Sequence, residues 1–146
     1  MQIVRLTASD VSRARELLRL FVEGDGRALD VEPTDDYLRG LLGDSTFHMV
    51  VAVVDGQLVG GLTGYELPMF KKEVREMFFY EIGVADEHQN RGVGTRLVEE
   101  LKKICRERGI KEIFVSTDND NASANRLYQK TGGIAETDNV WYHYFL

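Results

Sequence analysis

The most informative part of the sequence is Tyr80-Glu81-Ile82-Gly83-Val84-Ala85, followed three residues later by Gln89-Asn90-Arg91-Gly92-Val93-Gly94-Thr95. The first stretch is largely apolar, which is typical of a strand, and the second is a polar turn at the start of a long amphipathic helix. A glycine has no Cβ, so an anionic ligand can approach the backbone of this turn closely. The first N–H groups of a helix also attract anions. The stretch therefore predicts a strand–turn–helix unit that binds a pyrophosphate group.

Two other kinds of glycine-containing turn are excluded by the residues that follow Gly94. A nucleotide P-loop needs a lysine followed by serine or threonine, and neither pair is present. A dinucleotide-binding fingerprint needs a third glycine where Leu97 stands. The alternative that stays open is a helix entrance whose glycines only make a tight turn.

A second informative stretch is residues 121–132, which read NASANRLYQKTG. Either Asp120 or Asn121 can cap a helix here, and Gly132 is the residue type that ends one. Tyr128 falls on the apolar face of this helix. Without further information, it is either a tyrosine close to a ligand or a core aromatic residue whose hydroxyl group finds a partner.

The whole chain predicts elements in the order β-α-α-β-β-β-α-β-α-β-β, which is a mixed α/β domain around one sheet. The Asp55-Gly56 pair predicts a tight hairpin between strands over 46–54 and 57–67. The other strands are predicted over 3–6, 77–85 and 113–115, with two closing strands on either side of Asp138-Asn139. Helices are predicted from the cap at Thr7 to Gly24, Pro33 to Gly43, Val93 to Gly109, and Ala122 to Thr131. We find no repeat or linker and expect one domain over residues 1–146.

Composition and charge exclude several classes of function. The chain has 146 residues, with 18 Lys and Arg against 24 Asp and Glu, and a formal net charge of −6. Binding to nucleic acid needs a basic face, so we expect no nucleic-acid partner, whereas a cationic partner stays open. The longest apolar run, Met49–Val54, is far shorter than the roughly 20 residues of a membrane span. The N-terminal residues lack the apolar core of a secretory signal, so we expect a cytoplasmic protein without a membrane partner.

The cysteine and histidine residues give no signal for a metal site. His48, His88 and His143 are far apart and lack the spacing of metal ligands, so each is expected to be exposed or hydrogen-bonded. Cys105 lies on an apolar helix face and is more typical of a core residue than of a nucleophile. The segment Trp141–Phe145 either lines a pocket or an interface, or packs and pairs as a closing strand.

Together, the two informative stretches resemble the GNAT superfamily of acyl-CoA-dependent N-acetyltransferases. The family signature is Gln/Arg-x-x-Gly-x-Gly/Ala at the start of a helix, and Gln89–Gly94 matches it. The later family pattern, Asn-x-x-Ala-x-x-Leu-Tyr, is matched by Asn121–Tyr128. Gly133 departs from the family, which more often has an aromatic residue there. The resemblance implies a single GNAT-like domain of the α/β (α+β) class, with a mixed, mostly antiparallel central sheet of six to seven strands flanked by about four helices.

The resemblance implies that acetyl-CoA is the co-substrate. The backbone of Ile82–Val84 would pair with the pantetheine arm, where this strand splays from its neighbour, and main-chain N–H groups of the glycine turn would bind the pyrophosphate. Asn121 would lie beside the pantetheine, and Tyr128 would protonate the departing thiolate. The implied cofactor-binding residues are Ile82, Gly83, Val84, Gln89, Asn90, Arg91, Gly92, Val93, Gly94, Thr95, Asn121 and Tyr128.

Glu81 is the residue expected to accept the proton of the substrate amine, since an ammonium group has no lone pair with which to attack a thioester. A carboxylate within an apolar strand costs free energy unless it is paired. Burial would raise its pKa toward the working range of a base. The alternative is that Glu81 lies on a solvent-facing edge or pairs with an arginine such as Arg75.

Further stretches are similar to the GNAT-type aminoglycoside 3-N-acetyltransferases, namely PTDDYL at 33–38, VGGL at 59–62, YELPMF at 65–70 and FYEIGV at 79–84. That group usually has aspartate where Glu81 stands. The similarity implies a small polycationic amine as acceptor, namely an aminoglycoside acetylated at its 3-amino group, and hence a role in antibiotic resistance. It also implies a homodimer. The implied substrate-binding residues are Asp35, Asp36, Tyr65 and Glu81.

Three alternatives to this hypothesis stay open. The acceptor could be another amine, such as a polyamine, an amino-sugar metabolite or a protein lysine. The chain could also be a non-catalytic acyl-CoA-binding module that keeps the fold without turnover. Finally, the acidic residues between Asp25 and Asp36 could be an ordinary solvated loop rather than part of a cleft.

Overall fold

The sheet has five strands that follow one another in chain order. They were identified in a computed structural model that describes residues 1–26 and 28–146. Three strand pairs are antiparallel, and the last pair is parallel. The strands are β1 (Gln2–Arg5), β2 (Phe47–Val54), β3 (Gln57–Pro68), β4 (Arg75–Val84) and β5 (Ile113–Phe114).

Four helices accompany the sheet, namely α1 (Val11–Asp25), α2 (Asp35–Gly43), α3 (Val93–Glu107) and α4 (Ala122–Lys130). The first helix starts and ends differently from the prediction. Its cap is Asp10, whose carboxylate accepts hydrogen bonds from the N–H and hydroxyl groups of Thr7. It continues past Gly24 because the left-handed turn that ends it is at Gly26, with φ of 63°. Residue 27, within the predicted loop over 24–32, lies outside the described residues.

The chain divides into two compact units, Met1–Ser116 and Thr117–Leu146. The first unit holds the whole sheet with α1, α2 and α3, and the second holds α4. The single domain over residues 1–146 stays a prediction. None of the helices in the described parts of the chain is long and apolar enough to cross a membrane.

The predicted sheet of six to seven strands is wrong, because the two closing strands do not form. After Gly133, the second unit has neither helix nor strand up to residue 146. Its aromatic side chains favour β structure, but a strand also needs a neighbouring backbone to bond with. Trp141 is 62% exposed and Phe145 is 94% exposed, so neither aromatic side chain is a core residue.

The two faces of the sheet in the first unit are covered by different helices. One face carries Phe47, Met49 and Val51, which belong to a buried cluster with residues of α1 and α2. Consecutive residues of a strand point to opposite faces, so His48 and Val50 lie on the other side. That side packs against α3, whose buried residues are Val93, Leu97, Val98, Leu101, Ile104 and Cys105.

A buried ionic cluster lies on the α3 face of the sheet. The carboxylate of Glu66 on β3 is 1% exposed, and it accepts hydrogen bonds from Arg75 at 2.9 Å and from Arg108 at 3.1 Å. Burial opposes ionisation of this carboxylate, but its hydrogen bonds outweigh burial and lower the pKa of Glu66 to about 2. The cluster joins the beginning of β4 to the end of α3 through one side chain of β3.

His48 completes this cluster, and it is buried rather than exposed. Its Nε2 lies 2.7 Å from a Glu66 oxygen. Burial lowers the pKa of His48, and an ionised carboxylate only accepts, so Nε2 carries the proton of a neutral ring. Its Nδ1 makes no hydrogen bond with any described residue. Of the two alternatives expected for His48, hydrogen bonding is confirmed at Nε2, and exposure is not found.

Candidate active site

A β-bulge in β4 shapes the site in the first unit. Thr63 pairs with Glu81 and the next residue of β3, Gly64, pairs with Phe79, so Tyr80 has no partner on β3. A bulge leaves one residue unpaired and redirects neighbouring side chains. Both Tyr80 and Glu81 consequently reach the sheet face that carries Thr63 and α1.

Glu81 is exposed to solvent, in agreement with the alternative of a solvent-facing position. Arg75 forms its ion pair with Glu66 and does not neutralise Glu81. The Thr63 hydroxyl group donates a hydrogen bond to Glu81 Oε1 at 3.0 Å. Partial desolvation raises the pKa of Glu81, the hydrogen bond from Thr63 lowers it, and the charge of Asp25 raises it, with a net upward shift. The predicted direction of the pKa shift is correct, although the residue is not deeply buried.

Tyrosine rings line the surface beside Glu81. The ring of Tyr65 on β3 lies 5.8 Å from that of Tyr80, edge to face. Tyr80 is 57% exposed, so it presents one side of its ring to solvent. Burial raises the pKa of Tyr65, and Glu81, Tyr37 and Tyr80 raise it further because they are close to its hydroxyl group. Aromatic faces next to a carboxylate favour the binding of a cation.

Asp25 adds a second negative charge to this surface, and the packing of α1 places it there. A Cβ on Gly83 would lie 2.8 Å from the ring of Phe21, so only glycine lets α1 approach β4 this closely. Asp25 follows Phe21 by one helical turn and is the last residue of α1. The carbonyl groups at a helix C-terminus add negative potential at the same end.

The two predicted acidic substrate ligands in α2 are already paired. Asp35 lies 2.6 Å from a guanidinium nitrogen of Arg15, and Asp36 lies 2.6 Å from one of Arg39. Both residues are exposed and lie in the first turn of α2. Their role in substrate binding stays a prediction, whereas the structure gives Glu81 a different acidic neighbour, Asp25.

The end of β4 has an open side at Ile82, Gly83 and Val84, where the family resemblance implies that the strand splays from its neighbour. These residues pair with β3 on one side. Strand β5 pairs only with Met77 and Phe78, so within the described first unit no strand pairs with residues 79–84 on that side. Backbone groups on such an edge can pair with an extended ligand.

The glycine turn ends at an uncapped helix. Gly92 is the N-cap of α3, with φ of 83° and no side chain to cap it. The first helical N–H groups, those of Val93, Gly94 and Thr95, therefore have no acceptor within the helix. Val93 is buried, and the other two are partly exposed. The turn offers a set of backbone donors to an anion.

The remaining residues of the turn have distinct roles. The side-chain amide of Gln89 donates to the Val84 carbonyl at 3.1 Å and to an Asp86 carboxylate oxygen at 2.8 Å. Gln89 therefore holds the turn against the end of β4. Asn90 adopts a left-handed conformation with φ of 56°, and it is exposed, as is Arg91.

We expect Gly92→Ala to weaken CoA binding about tenfold, because any other residue is strained at a positive φ and displaces the donors. A Cβ on Gly92 meets no atom within 4 Å, so steric overlap within the chain does not contribute. Isothermal titration of CoA would measure the effect.

The matched control for this variant is Gly109→Ala, at the other end of α3. Gly109 also has a positive φ, 73°, and open space around a Cβ. Both variants should lose similar stability, but only Gly92→Ala should bind CoA less tightly. Equal CoA affinity in the two variants would contradict a role for the turn in binding.

In the second unit, Asn121 and Tyr128 lie at the two ends of α4. The side-chain oxygen of Asn121 caps the helix by accepting from the Ala124 N–H at 3.1 Å. Tyr128 is partly buried, and burial raises the pKa of its phenol. Asn125, which the sequence analysis missed, donates to the carbonyls of Asp118, Asn119 and Asn121 and fixes the turn before the helix.

The way in which α4 ends explains why a glycine occupies position 133. Its N–H donates to the Tyr128 carbonyl at 2.8 Å, and Gly132 before it has a φ of 89°. These contacts end α4 in a Schellman motif. A Cβ on Gly133 would lie 3.0 Å from the Tyr128 carbonyl oxygen, so a larger residue would require a small shift of the turn.

Metal ligation and thiol chemistry find no support in the described residues. No group of three or more His, Cys, Asp or Glu within residues 1–26 and 28–146 is arranged to hold a metal ion. Cys105 is buried on α3, and burial raises the pKa of its thiol to about 11. A thiol with so high a pKa is a poor nucleophile at neutral pH, as expected for a core residue.

Comparison with known proteins points to one family. The sequence profile of the "Acetyltransferase (GNAT) family" matches residues 13–133. The chain is 36% identical over 130 residues to the N-alpha-acetyltransferase RimI of Mycobacterium tuberculosis. That match covers 87% of this chain and 74% of RimI. It is 38% identical over 78 residues to YxbD of Bacillus subtilis, described as an uncharacterized protein. That match spans 53% of this chain and less than half, 44%, of YxbD.

A solved structure agrees with the whole fold. It is the aminoglycoside acetyltransferase meta-AAC0020 from an uncultured soil metagenomic sample, in complex with sisomicin. The two chains superpose with a TM-score of 0.93 at 29% identity, covering 99% of this chain and 95% of the other. Since the family profile spans both the glycine turn and the Asn121–Tyr128 stretch, this chain belongs to the GNAT family of acetyltransferases.

Proposed function

We propose that this chain transfers an acetyl group from acetyl-CoA to a primary amine of a small polycation, and that this polycation is an aminoglycoside acetylated at its 3-amino group. The observation that carries the proposal is the position of Glu81 on β4. Its carboxylate lies beside the bulge at Tyr80, and the open edge of Ile82–Val84 follows directly along the same strand. One strand therefore offers a base for the amine and a backbone edge for the thioester arm.

The first unit fits acetyl-CoA with two sets of backbone groups. The open edge of β4 can pair with the pantetheine arm, and the uncapped N–H groups at Val93–Thr95 can bind the pyrophosphate. Bound acetyl-CoA supplies an activated acyl thioester. Asn121 is proposed to lie beside the pantetheine, with its side-chain oxygen engaged in capping α4.

Three groups of the chain are proposed to carry the reaction. Glu81, directly or through a water molecule, accepts a proton from the substrate ammonium, which frees the nitrogen lone pair for attack on the acyl carbon. A backbone N–H group of the bulged stretch of β4 donates to the carbonyl oxygen as negative charge develops there. The phenol of Tyr128, which burial keeps protonated, gives its proton to the departing thiolate.

The charge around Glu81 supports a polycationic acceptor. Glu81 and Asp25 bring two carboxylates to a surface lined by the rings of Tyr80, which is exposed, and Tyr65, which is partly buried. A net charge of −6 also favours the approach of a cation. The likeness to an aminoglycoside acetyltransferase in complex with sisomicin supports the substrate class. The acetylated position rests on the sequence resemblance alone.

A panel of amines tests the substrate class. Thiol release from acetyl-CoA would be measured with sisomicin, with spermidine and with a basic peptide. We expect the highest kcat/KM with sisomicin, and NMR of the product would identify the acetylated nitrogen. Preference for spermidine would move the proposal to a polyamine, and preference for the peptide would favour the activity in the name of RimI.

Other inferences from the resemblance stay predictions. The homodimer is one of them, and sedimentation of the purified chain would test it. Antibiotic resistance is another, and it follows only if an aminoglycoside is the substrate in the cell. Cytoplasmic location, expected from the N-terminal residues rather than from the resemblance, also stays a prediction.

A further inference from the structure

Thr63 is a buried polar side chain directly beside the proposed base. It is 3% exposed and lies between the buried Leu62 and Gly64 on β3. Buried hydroxyl groups are almost always hydrogen-bonded. The hydroxyl group of Thr63 donates to Glu81 Oε1 at 3.0 Å, across the paired strands.

We propose that Thr63 is a positioning residue, which holds Glu81 Oε1 through its hydroxyl group so that Oε2 is presented to the substrate amine. This inference rests on the proposed role of Glu81 as the base. Thr63 itself does not exchange a proton with the substrate.

The arrangement follows from the register of β3 and β4. Side chains of directly paired residues in neighbouring strands lie about 5 Å apart, which a threonine and a glutamate can bridge. The bulge at Tyr80 sets this pairing, because without it Thr63 would be opposite a different residue of β4. An exposed glutamate otherwise samples several rotamers, and ordering it costs entropy. The hydrogen bond restricts that sampling before the substrate arrives.

The charges around Glu81 make the hydrogen bond important for its ionisation. Partial desolvation raises the pKa of Glu81, and the charge of Asp25 on α1 raises it further. Glu81 and Tyr80 of β4 and Tyr37 of α2 all lie near the hydroxyl group of Tyr65 on β3. Thr63 opposes these effects, because its hydrogen bond stabilises the ionised carboxylate.

Comparison of Thr63→Val with Thr63→Ser tests the inference. Valine has nearly the same shape but no hydroxyl group, so we expect kcat to fall roughly tenfold while the KM for acetyl-CoA stays unchanged. The acid limb of the kcat/KM profile should move to higher pH, because the opposing hydrogen bond is lost. Serine keeps the hydroxyl group and should restore both the rate and the profile. If the valine variant does not fold, Thr63→Ala takes its place in the same comparison.

The control is Thr46→Val, which removes a similar hydrogen bond elsewhere in the chain. The Thr46 hydroxyl group donates to the carboxylate of Asp44, over a distance of 2.7 Å. That variant should keep the wild-type rate and profile. If Thr63→Val keeps the wild-type rate and acid limb while Glu81→Gln loses them, the inference about Thr63 is wrong and the proposed base remains. If Glu81→Gln itself keeps the acid limb, the proposed base and this inference both fail.

Discussion

Replacing Glu81 by glutamine is expected to lower kcat about a hundredfold or more and to leave the affinity for CoA unchanged. Removing a general base typically costs this much or more in rate, because the amine must then lose its proton without a positioned acceptor. Glutamine has nearly the same size and can still accept a hydrogen bond from Thr63. Glu81 is exposed, so the substitution should not destabilise the fold.

The pH dependence of this variant separates catalysis from binding. The pKa of Glu81 is raised above its ordinary value, and only the ionised form can accept a proton. The rate of the wild-type enzyme should therefore fall as the pH drops through that raised pKa. In Glu81→Gln, the acid limb of the kcat/KM profile should be flat.

The control for this prediction is Glu107→Gln, an exposed glutamate in the last turn of α3. It should keep the wild-type kcat and pH profile. An acid limb that is unchanged in Glu81→Gln would show that another group accepts the proton.

The second large effect is expected at Glu66, which stabilises the fold rather than the reaction. Glu66→Gln should lower the free energy of unfolding by about 3 kcal/mol, since it leaves two arginines without their shared carboxylate. We expect the lower end of the range for a buried ion pair. Arg75 and Arg108 keep 47% and 32% of their side chains exposed, so water compensates for part of the loss.

The same cluster predicts an acid sensitivity. The pKa of Glu66 is lowered from 4.5 to about 2 on folding, so the unfolded chain takes up this proton first as the pH falls. The stabilisation is fully present above pH 4.5 and is lost as the pH falls toward 2. In Glu66→Gln, this component of the acid sensitivity should be absent.

Urea unfolding at several pH values measures both effects. The control is Glu99→Gln, which removes a surface ion pair with Lys102. The side chain of Glu99 is 47% exposed. A surface pair contributes about 0–1 kcal/mol, so this variant should remain close to the wild type. Equal stability of Glu66→Gln and Glu99→Gln would contradict the stabilising role of the cluster.

The parts of the fold that the sequence predicts well depend on local patterns. Asp55 and Gly56 have φ of 50° and 83°, as the predicted tight hairpin requires. The start of α3 at Val93 and the left-handed Gly92 follow from the glycine turn. The family resemblance also rests on short stretches, namely the glycine turn and Asn121–Tyr128, and the profile match confirms it.

The parts that the sequence does not predict depend on register and on distant residues. The bulge at Tyr80 exists only in the pairing of β3 with β4, so no local pattern indicates that Thr63 meets Glu81. The cluster around Glu66 joins residues 48, 75 and 108, which only the folded sheet brings together. The local signal for the cluster is that Glu66 is the only charged residue of β3.

The prediction of two closing strands is wrong because it rested on composition alone. Residues 134–146 have the composition of strands, but composition indicates only a preference, and no pairing partner is specified by it. Asp35 and Asp36 show a similar limit. The resemblance implies that they bind the substrate, and no local pattern indicates that arginines of the same chain lie 2.6 Å from both.

Amine-dependent release of thiol from acetyl-CoA is the most direct test of the proposed acetyl transfer. It should be measured at neutral pH, with and without sisomicin, alongside the Kd for CoA. The proposal predicts release that depends on the amine, saturates with it, and yields one acetylated product per thiol. Tight CoA binding without release in the presence of any amine tested would contradict it, and would identify the chain as a non-catalytic acyl-CoA-binding module.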